Sequence, residues 1–143
     1  MSTEENKAVV RRMYEEWNKR NLAGIWELYA PDYVLHGAPF GLSPDLAGLK
    51  QLYTAPLTAF PDAHLVVEDL IAEGDKVVHR ATLRGTHQGD LLGIPPTGKV
   101  VTVTGIYISR FAGGKCVEEW RNVDDLGLMQ QLGVIPQMAQ TGA

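Results

Sequence analysis

The sequence predicts an α+β fold in which N-terminal helices cover a curved antiparallel sheet. Three observations predict it. Apolar residues recur at helical spacing through the first part of the chain, they alternate with period two from His64 onward, and the alternating runs are long. Helices first and strands later argues against an alternating parallel sheet. A length of 143 residues fits one domain spanning residues 1–143.

Each element has a local reason. Ser2 and Glu5 form an S-x-x-E capping box, which satisfies orphan N–H groups at a helix start. Val10, Met13, Tyr14 and Trp17 follow at helical spacing, and Leu22, Ile25, Trp26 and Tyr29 repeat the pattern. Asn21 separates the two helices and Pro31 is expected to stop the second. Tyr33–His36 is a short extended segment. Ser43-Pro44-Asp45 reads as a cap with a first-turn proline, opening a third helix through Leu49, Leu52 and Tyr53, bounded by Pro56 and Pro61. Strands are expected over His64–Ala72, Lys76–His87, Lys99–Phe111 and Lys115–Val123, with hairpin turns at Glu73-Gly74-Asp75 and Gly113-Gly114. The Gly- and Pro-rich stretch from Gly89 to Gly98 is a loop. Leu126–Leu132 is a last helix, stopped by Gly133 and Pro136. Strands of ~10–13 residues exceed the usual ~5–6 and curl strongly. Helices laid over a cupped sheet leave an interior cavity, a common ligand site.

Composition removes whole classes of function. Thirteen Lys and Arg against 17 Asp and Glu give a formal net charge of -4, so no basic footprint for nucleic acid or an anionic membrane is expected. One cysteine, Cys116, allows neither an internal disulfide nor a cysteine-based zinc site. No apolar run approaches a membrane span of ~20 residues, and the polar N-terminus is unlike a secretory signal; the expectation is a cytoplasmic protein. Phosphate-binding, dinucleotide, nucleophile-elbow and zinc-protease motifs are all missing. His79 and His87 stand about 26 Å apart on a straight strand, too far to share a metal, and the spacing of the four histidines gives no support to a zinc site.

The last strand carries the candidate chemistry. Unbroken alternation puts Cys116, Glu118, Trp120, Asn122 and Asp124 on one face and Lys115, Val117, Glu119, Arg121 and Val123 on the other. If Trp120 points inward, so do Asn122 and Asp124. A carboxylate at the mouth of an apolar cavity is desolvated and its pKa rises, which suits a general base near neutral pH. The competing role for Asp124 or Asp125 is capping the last helix. Tyr14, Trp17, Trp26, Tyr29 and Tyr53 lie on helix faces as core. A cavity lined with them suits a planar aromatic or polycyclic ligand.

Three stretches carry a family resemblance: YAPDYVLHGAP (29–39), AFPDAHLVVEDLIAEGDKVVHRATLRGTHQGDLLGIPPTGK (59–99) and GGKCVEEWRNVDDLGLMQQLGVIP (113–136). In these the chain resembles the SnoaL-like polyketide cyclases, or ester cyclases. The resemblance implies the conical α+β barrel shared with ketosteroid isomerases and nuclear-transport-factor-type proteins. It implies ring closure by intramolecular aldol condensation, with an aspartate moving the proton and no metal or organic cofactor. The EEWxxxD aspartate falls on Asp124, the family histidines on His36 and His87, and the arginine before the GTH segment on Arg80. His79 stands where the family usually has an aliphatic residue.

The expected enzyme therefore uses Asp124 as general acid/base on a hydrophobic carbonyl compound. His36, His87, Arg80 and Asn122 hydrogen-bond the carbonyl or enolate, and Trp120, Trp17 and Tyr53 form the apolar wall. Two alternatives stand beside it: a non-catalytic module that binds a small hydrophobic molecule, and a cofactor-free epoxide hydrolase using Arg80, Asp124 and a second acid such as Glu118. The sheet face carrying Val101, Val103 and Tyr107, or its opposite, is expected to pair two copies into a homodimer.

Overall fold

Ser2 Oγ accepts from the Glu5 N–H at 3.1 Å and Glu5 Oε1 from the Ser2 N–H at 3.2 Å, so the first helix, α1 (Thr3–Asn18), starts on a closed capping box. The structure, a computed structural model, describes residues 2–136. α1 buries Val10, Met13, Tyr14 and Trp17. α2 (Leu22–Trp26) is capped by Asn21, which accepts from the Gly24 N–H. It ends before Tyr29, which the helical spacing placed on it. Tyr29 opens β1 (Tyr29–His36). Pro31 lies within that strand, not at a helix end; an edge strand tolerates its missing N–H.

α3 (Leu46–Ala59) is capped by Asp45, whose Oδ1 accepts from the Gly48 N–H at 3.1 Å and from the Ser43 hydroxyl at 2.7 Å. Pro44 precedes this cap, and Pro56 sits inside the helix near its C-terminal end. β2 (His64–Glu73), β3 (Lys76–Thr86), β4 (Val100–Ala112) and β5 (Lys115–Val123) form a meander, followed by α4 (Asp125–Leu132). Gly133, at φ 81°, ends α4 in the left-handed conformation.

The sheet order is β1-β5-β4-β3-β2. The four meander strands pair antiparallel, but β1 pairs parallel to β5, so the sheet is mixed and not wholly antiparallel. α1 packs on β2 and β3, and α3 on β1, covering the sheet's inner face.

The register of β5 breaks near its start. Phe111 pairs with Cys116, yet Arg110 pairs with Glu118, which leaves Val117 as an extra residue in a bulge. Beyond it the facing reverses. Glu119 is buried opposite buried Ser109, and Arg121 lies opposite Tyr107. Trp120, Asn122 and Asp124 therefore face outward, contrary to the unbroken alternation expected from sequence.

Inside the sheet lies a buried chain of polar side chains. Tyr14 Oη lies 2.6 Å from His79 Nδ1, His79 Nε2 lies 2.8 Å from Ser109 Oγ, and the Ser109 hydroxyl donates to Glu119. Tyr33 Oη donates to the other Glu119 oxygen at 2.8 Å. Burial drives the Glu119 pKa up against these donors, and drives His79 down to about 4, so its imidazole is neutral.

Two outcomes follow from these contacts. Asp124 caps α4, its Oδ1 accepting from the Gly127 N–H at 2.9 Å. Asp124→Ala should lower the unfolding free energy by about 1 kcal/mol and Asp124→Asn by only a few tenths, measured by urea denaturation. Glu119 binds its proton more tightly folded than unfolded, so its contribution to stability falls as pH rises from the ordinary value of 4.5 through the higher native one. The stability of the wild type relative to Glu119→Gln should fall over that window; His79 is common to both chains. A pH-independent difference would show that folding does not raise the Glu119 pKa.

Candidate active site

A cavity of about 380 Å³ lies between the inner sheet face, α1, α3 and α4, within the range of small-molecule sites. Its body is apolar: Phe60, Leu65, Ala81, Leu83, Val103 and Val123 supply much of the wall. Trp17 and Tyr53 also line it, and the Trp17 indole N–H donates to the Tyr53 carbonyl at 3.1 Å, tying α1 to α3. Phe40 and Leu92 reach the cavity from two loops, half-exposed and at positive φ of 56° and 50°. Left-handed backbone is strained for such side chains, and here two of them line one cavity.

The charged wall is an aspartate and an arginine. Arg121 comes from the end of β5 and Asp125 from the first turn of α4, and Arg121 Nη1 lies 3.9 Å from Asp125 Oδ2. The Asp125 side chain is 35% exposed and that of Arg121 9%. Burial raises the Asp125 pKa; Arg121 opposes the rise and the neighbouring Asp124 charge adds to it. Arg121 Nε is buried without a hydrogen-bond partner among the described residues, so one strong donor is unspent. Tyr107 stands beside it in the same wall; burial pushes its hydroxyl pKa up and the guanidinium pulls it back.

The structure does not gather the sequence-selected residues in this cavity. Asp124 is exposed and turned to its helix cap. His36 and Trp120 lie on the outer face, stacked on each other with ring centroids 4.8 Å apart, and His36 Nε2 is 2.7 Å from Glu118 Oε2. Asn122 is exposed on the same face. Arg80 is outside too, paired with Asp69 at 2.7 Å. His87 is fully buried, its Nδ1 3.0 Å from Thr97 Oγ1, but it is not among the cavity residues. Of the selected set, Trp17 and Tyr53 line the cavity. The residues proposed for an epoxide hydrolase, Arg80, Asp124 and Glu118, are all on the outside.

Sequence reasoning missed Arg121, Asp125, Tyr107 and Glu119. For Arg121 and Glu119 the cause is the one extra residue at Val117, since a single-residue slip reverses every later side chain of that strand; Tyr107 lies on β4 and Asp125 on α4, beyond its reach. A signal was available. Val123 is the aliphatic residue at the end of β5, and taking it as the inward marker selects Arg121 and Glu119 by alternation.

The family model for SnoaL-like polyketide cyclase matches residues 7–132. Aklanonic acid methyl ester cyclase DnrD of Streptomyces peucetius is 32% identical over 130 residues, covering 87% of this chain and 88% of its own length. Among solved structures, AclR of Streptomyces galilaeus, named as a candidate hydroxylase, is 35% identical with a TM-score of 0.87 and covers 97% of this chain and 87% of its own. IdmH of Streptomyces antibioticus, named as a candidate polyketide cyclase, is 32% identical with a TM-score of 0.78 and covers 90% and 98%. With helices over a curved sheet, an apolar hollow and this match through most of its length, the chain belongs to the SnoaL-like polyketide cyclase family and has the α+β fold and the cyclase class of function expected of it.

Proposed function

We propose that the chain closes a ring by intramolecular aldol condensation on an apolar ester of the kind for which its cyclase relatives are named, with Asp125 as general acid/base. The observation that carries this reading is the partly buried carboxylate of Asp125 in the wall of an otherwise apolar cavity, beside the nearly buried guanidinium of Arg121. The chemistry balances without a further reactant. Asp125 takes a proton from the carbon next to a carbonyl. The resulting enolate carbon attacks a second carbonyl carbon of the same molecule, one C–C bond forms, and the new alkoxide takes the proton back from Asp125.

Arg121 and Tyr107 support the charged steps. The Arg121 guanidinium in the cavity wall can donate to the enolate oxygen as it forms, and one such donor in a water-poor site contributes roughly 3–4 kcal/mol. The raised Asp125 pKa brings the base closer to the pH at which it must both take and return a proton. The aromatic and aliphatic wall excludes water from the enolate.

We further propose that the chain works as a cytoplasmic homodimer. Val101 and Val103 are buried against the helices, so the pairing face is the opposite one, where Val66, Ile71, Val100 and Ile106 are exposed. Buried Cys116, held as an unpaired thiol, suits a reducing compartment. Light scattering at micromolar concentration should give twice the 15.7 kDa chain mass. A single-chain mass would sink the dimer.

Aklanonic acid methyl ester, the compound that names the curated relatives, is the first substrate to try. Asp125→Asn should lower kcat by about 100-fold or more with little loss of stability, as expected for a lost general base. Retention of wild-type kcat by this variant would remove Asp125 from the mechanism. Wild-type binding with neither ring closure nor exchange of carbon-bound protons into heavy water would favour a plain binding module. A product heavier by one oxygen would favour the activity for which AclR is named.

A further inference from the structure

A second hollow, of about 60 Å³, adjoins the cavity. Trp17, Tyr53, Leu65 and Tyr107 belong to the walls of both, and the smaller one adds Tyr14 and His79. It exceeds the ~10–15 Å³ that one water requires, so it has room for an oxygen substituent on a ligand that fills the larger space. Asp125 and Arg121 line only the larger hollow. A ligand occupying both would therefore meet polar groups in two separate places, with an apolar wall between.

The hydrogen bonds fix which way the smaller hollow is polarised. Ser109 has one hydroxyl proton, and it goes to Glu119. Ser109 Oγ must then accept from His79, which places the imidazole proton on Nε2. The neutral ring is left with a lone pair on Nδ1, and that atom accepts the Tyr14 proton at 2.6 Å. Tyr14 Oη has now spent its proton and keeps only acceptor capacity. Tyr107 stacks on the far side of the imidazole, centroids 5.2 Å apart, and restrains its tilt. Replacing a buried ionisable chain by apolar side chains of similar volume is often neutral or stabilising, so stability alone does not account for this one.

We propose that the smaller hollow is a hydroxyl-recognition subsite, in which Tyr14 Oη accepts a hydrogen bond from a hydroxyl on the inner end of a planar apolar ligand, and His79, Ser109 and Glu119 hold Tyr14 in the accepting role. The proposal rests on the cavity being the ligand site described above, and not on the chemistry at Asp125. Tyr14 is the binding residue; His79, Ser109 and Glu119 are positioning residues that act through it. A ligand bearing an ether or no oxygen at that end leaves Tyr14 unsatisfied.

Three probes of one shape test this with the full chain: 2-naphthol, which can donate, 2-methoxynaphthalene, which can only accept, and naphthalene, which does neither. Titration of the wild type should show 2-naphthol binding about tenfold more tightly than the methyl ether, the value of one hydrogen bond to a buried acceptor. Tyr14→Phe should bring that ratio close to one while the affinity for naphthalene stays within about twofold. Ser109→Ala, which frees the imidazole to place its proton on Nδ1, should shrink the ratio as well, a change that loss of packing alone would not make selective for the hydroxyl. Equal affinity for 2-naphthol and its methyl ether in the wild type overturns the subsite even when all three probes bind, and the cavity then remains a ligand site. A preference that survives Tyr14→Phe but disappears in Arg121→Leu also overturns it, because the hydroxyl is then read at the opposite end. Failure of all three probes to bind removes the subsite and the ligand cavity together.

Discussion

One inserted residue governs what faces the cavity. Were β5 regular, its pleat would carry Glu118, Trp120 and Asn122 inward with Cys116 and put Glu119 and Arg121 in solvent. The bulge at Val117 breaks that alternation after Cys116 has been buried. Below it the strand contributes an apolar thiol to the core; above it, a buried carboxylate, a guanidinium and a valine in succession on the inner face. β1 follows the same arrangement from the edge. His36 lies opposite Trp120 and stacks on it outside, while Leu35 lies opposite Glu119 inside. The outward side chains are satisfied where they lie: Glu118 accepts from Arg110 and is hydrogen-bonded to His36, and Lys76 sits over the Trp120 ring. The bulge is thus supported from both faces.

The same reversal separates two kinds of buried charge. Glu119 lies deep, with hydroxyl donors and, among the described residues, no charged partner; His79 Nε2 is 3.9 Å away and neutral. Asp125 lies nearer the surface, opposed by a cation that is nearly buried. Both carboxyl pKa values move up because water is excluded, but the consequences differ. Glu119 is enclosed by Tyr33 and Ser109 and can act only through them. Asp125 lines the open volume, where a ligand's own C–H can reach it. Position, more than the direction of the pKa shift, makes one a candidate base and the other a support.

The architecture was legible in the sequence because its signals are local. The Ser2–Glu5 box, the helix break at Asn21, the Gly74 and Gly113 turns and the alternating runs each act over a few residues, and each appears as an element end or a strand; the Ser43-Pro44-Asp45 start appears too, but with Asp45 as the cap and Pro44 outside the helix. The errors have equally specific causes. Tyr29 fits a helical spacing, but pairing with Cys116 across the sheet draws it into β1. The parallel pairing of β1 is a long-range choice that no local pattern records. At the site, Trp17 and Tyr53 were found because helical spacing survives to the cavity. Asp124, Asn122 and Trp120 were misplaced because strand parity does not survive a bulge, and Arg80 because its outward face carried no marker against a binding role. His79 stood out as a departure before its hydrogen-bond chain to Glu119 could be seen.

The tandem Asp124-Asp125 shows how closely scaffold and site are joined. Asp124 accepts from the Gly127 N–H and starts α4, and α4 begins with Asp125. A helix N-terminus favours an anion, which by itself would hold the Asp125 carboxyl low. Partial burial and the charge of Asp124 act the other way. The first residue therefore does more than place the second: its charge adds to the rise in the second's pKa. Gly127 completes the arrangement, because a Cβ there would come within 2.2 Å of an Asp124 carboxylate oxygen and push the cap aside. A larger residue at 127 would press on the Asp124 carboxylate, which caps the helix that opens with Asp125. A change that touches no cavity residue would in this way reach the cap one residue before the base.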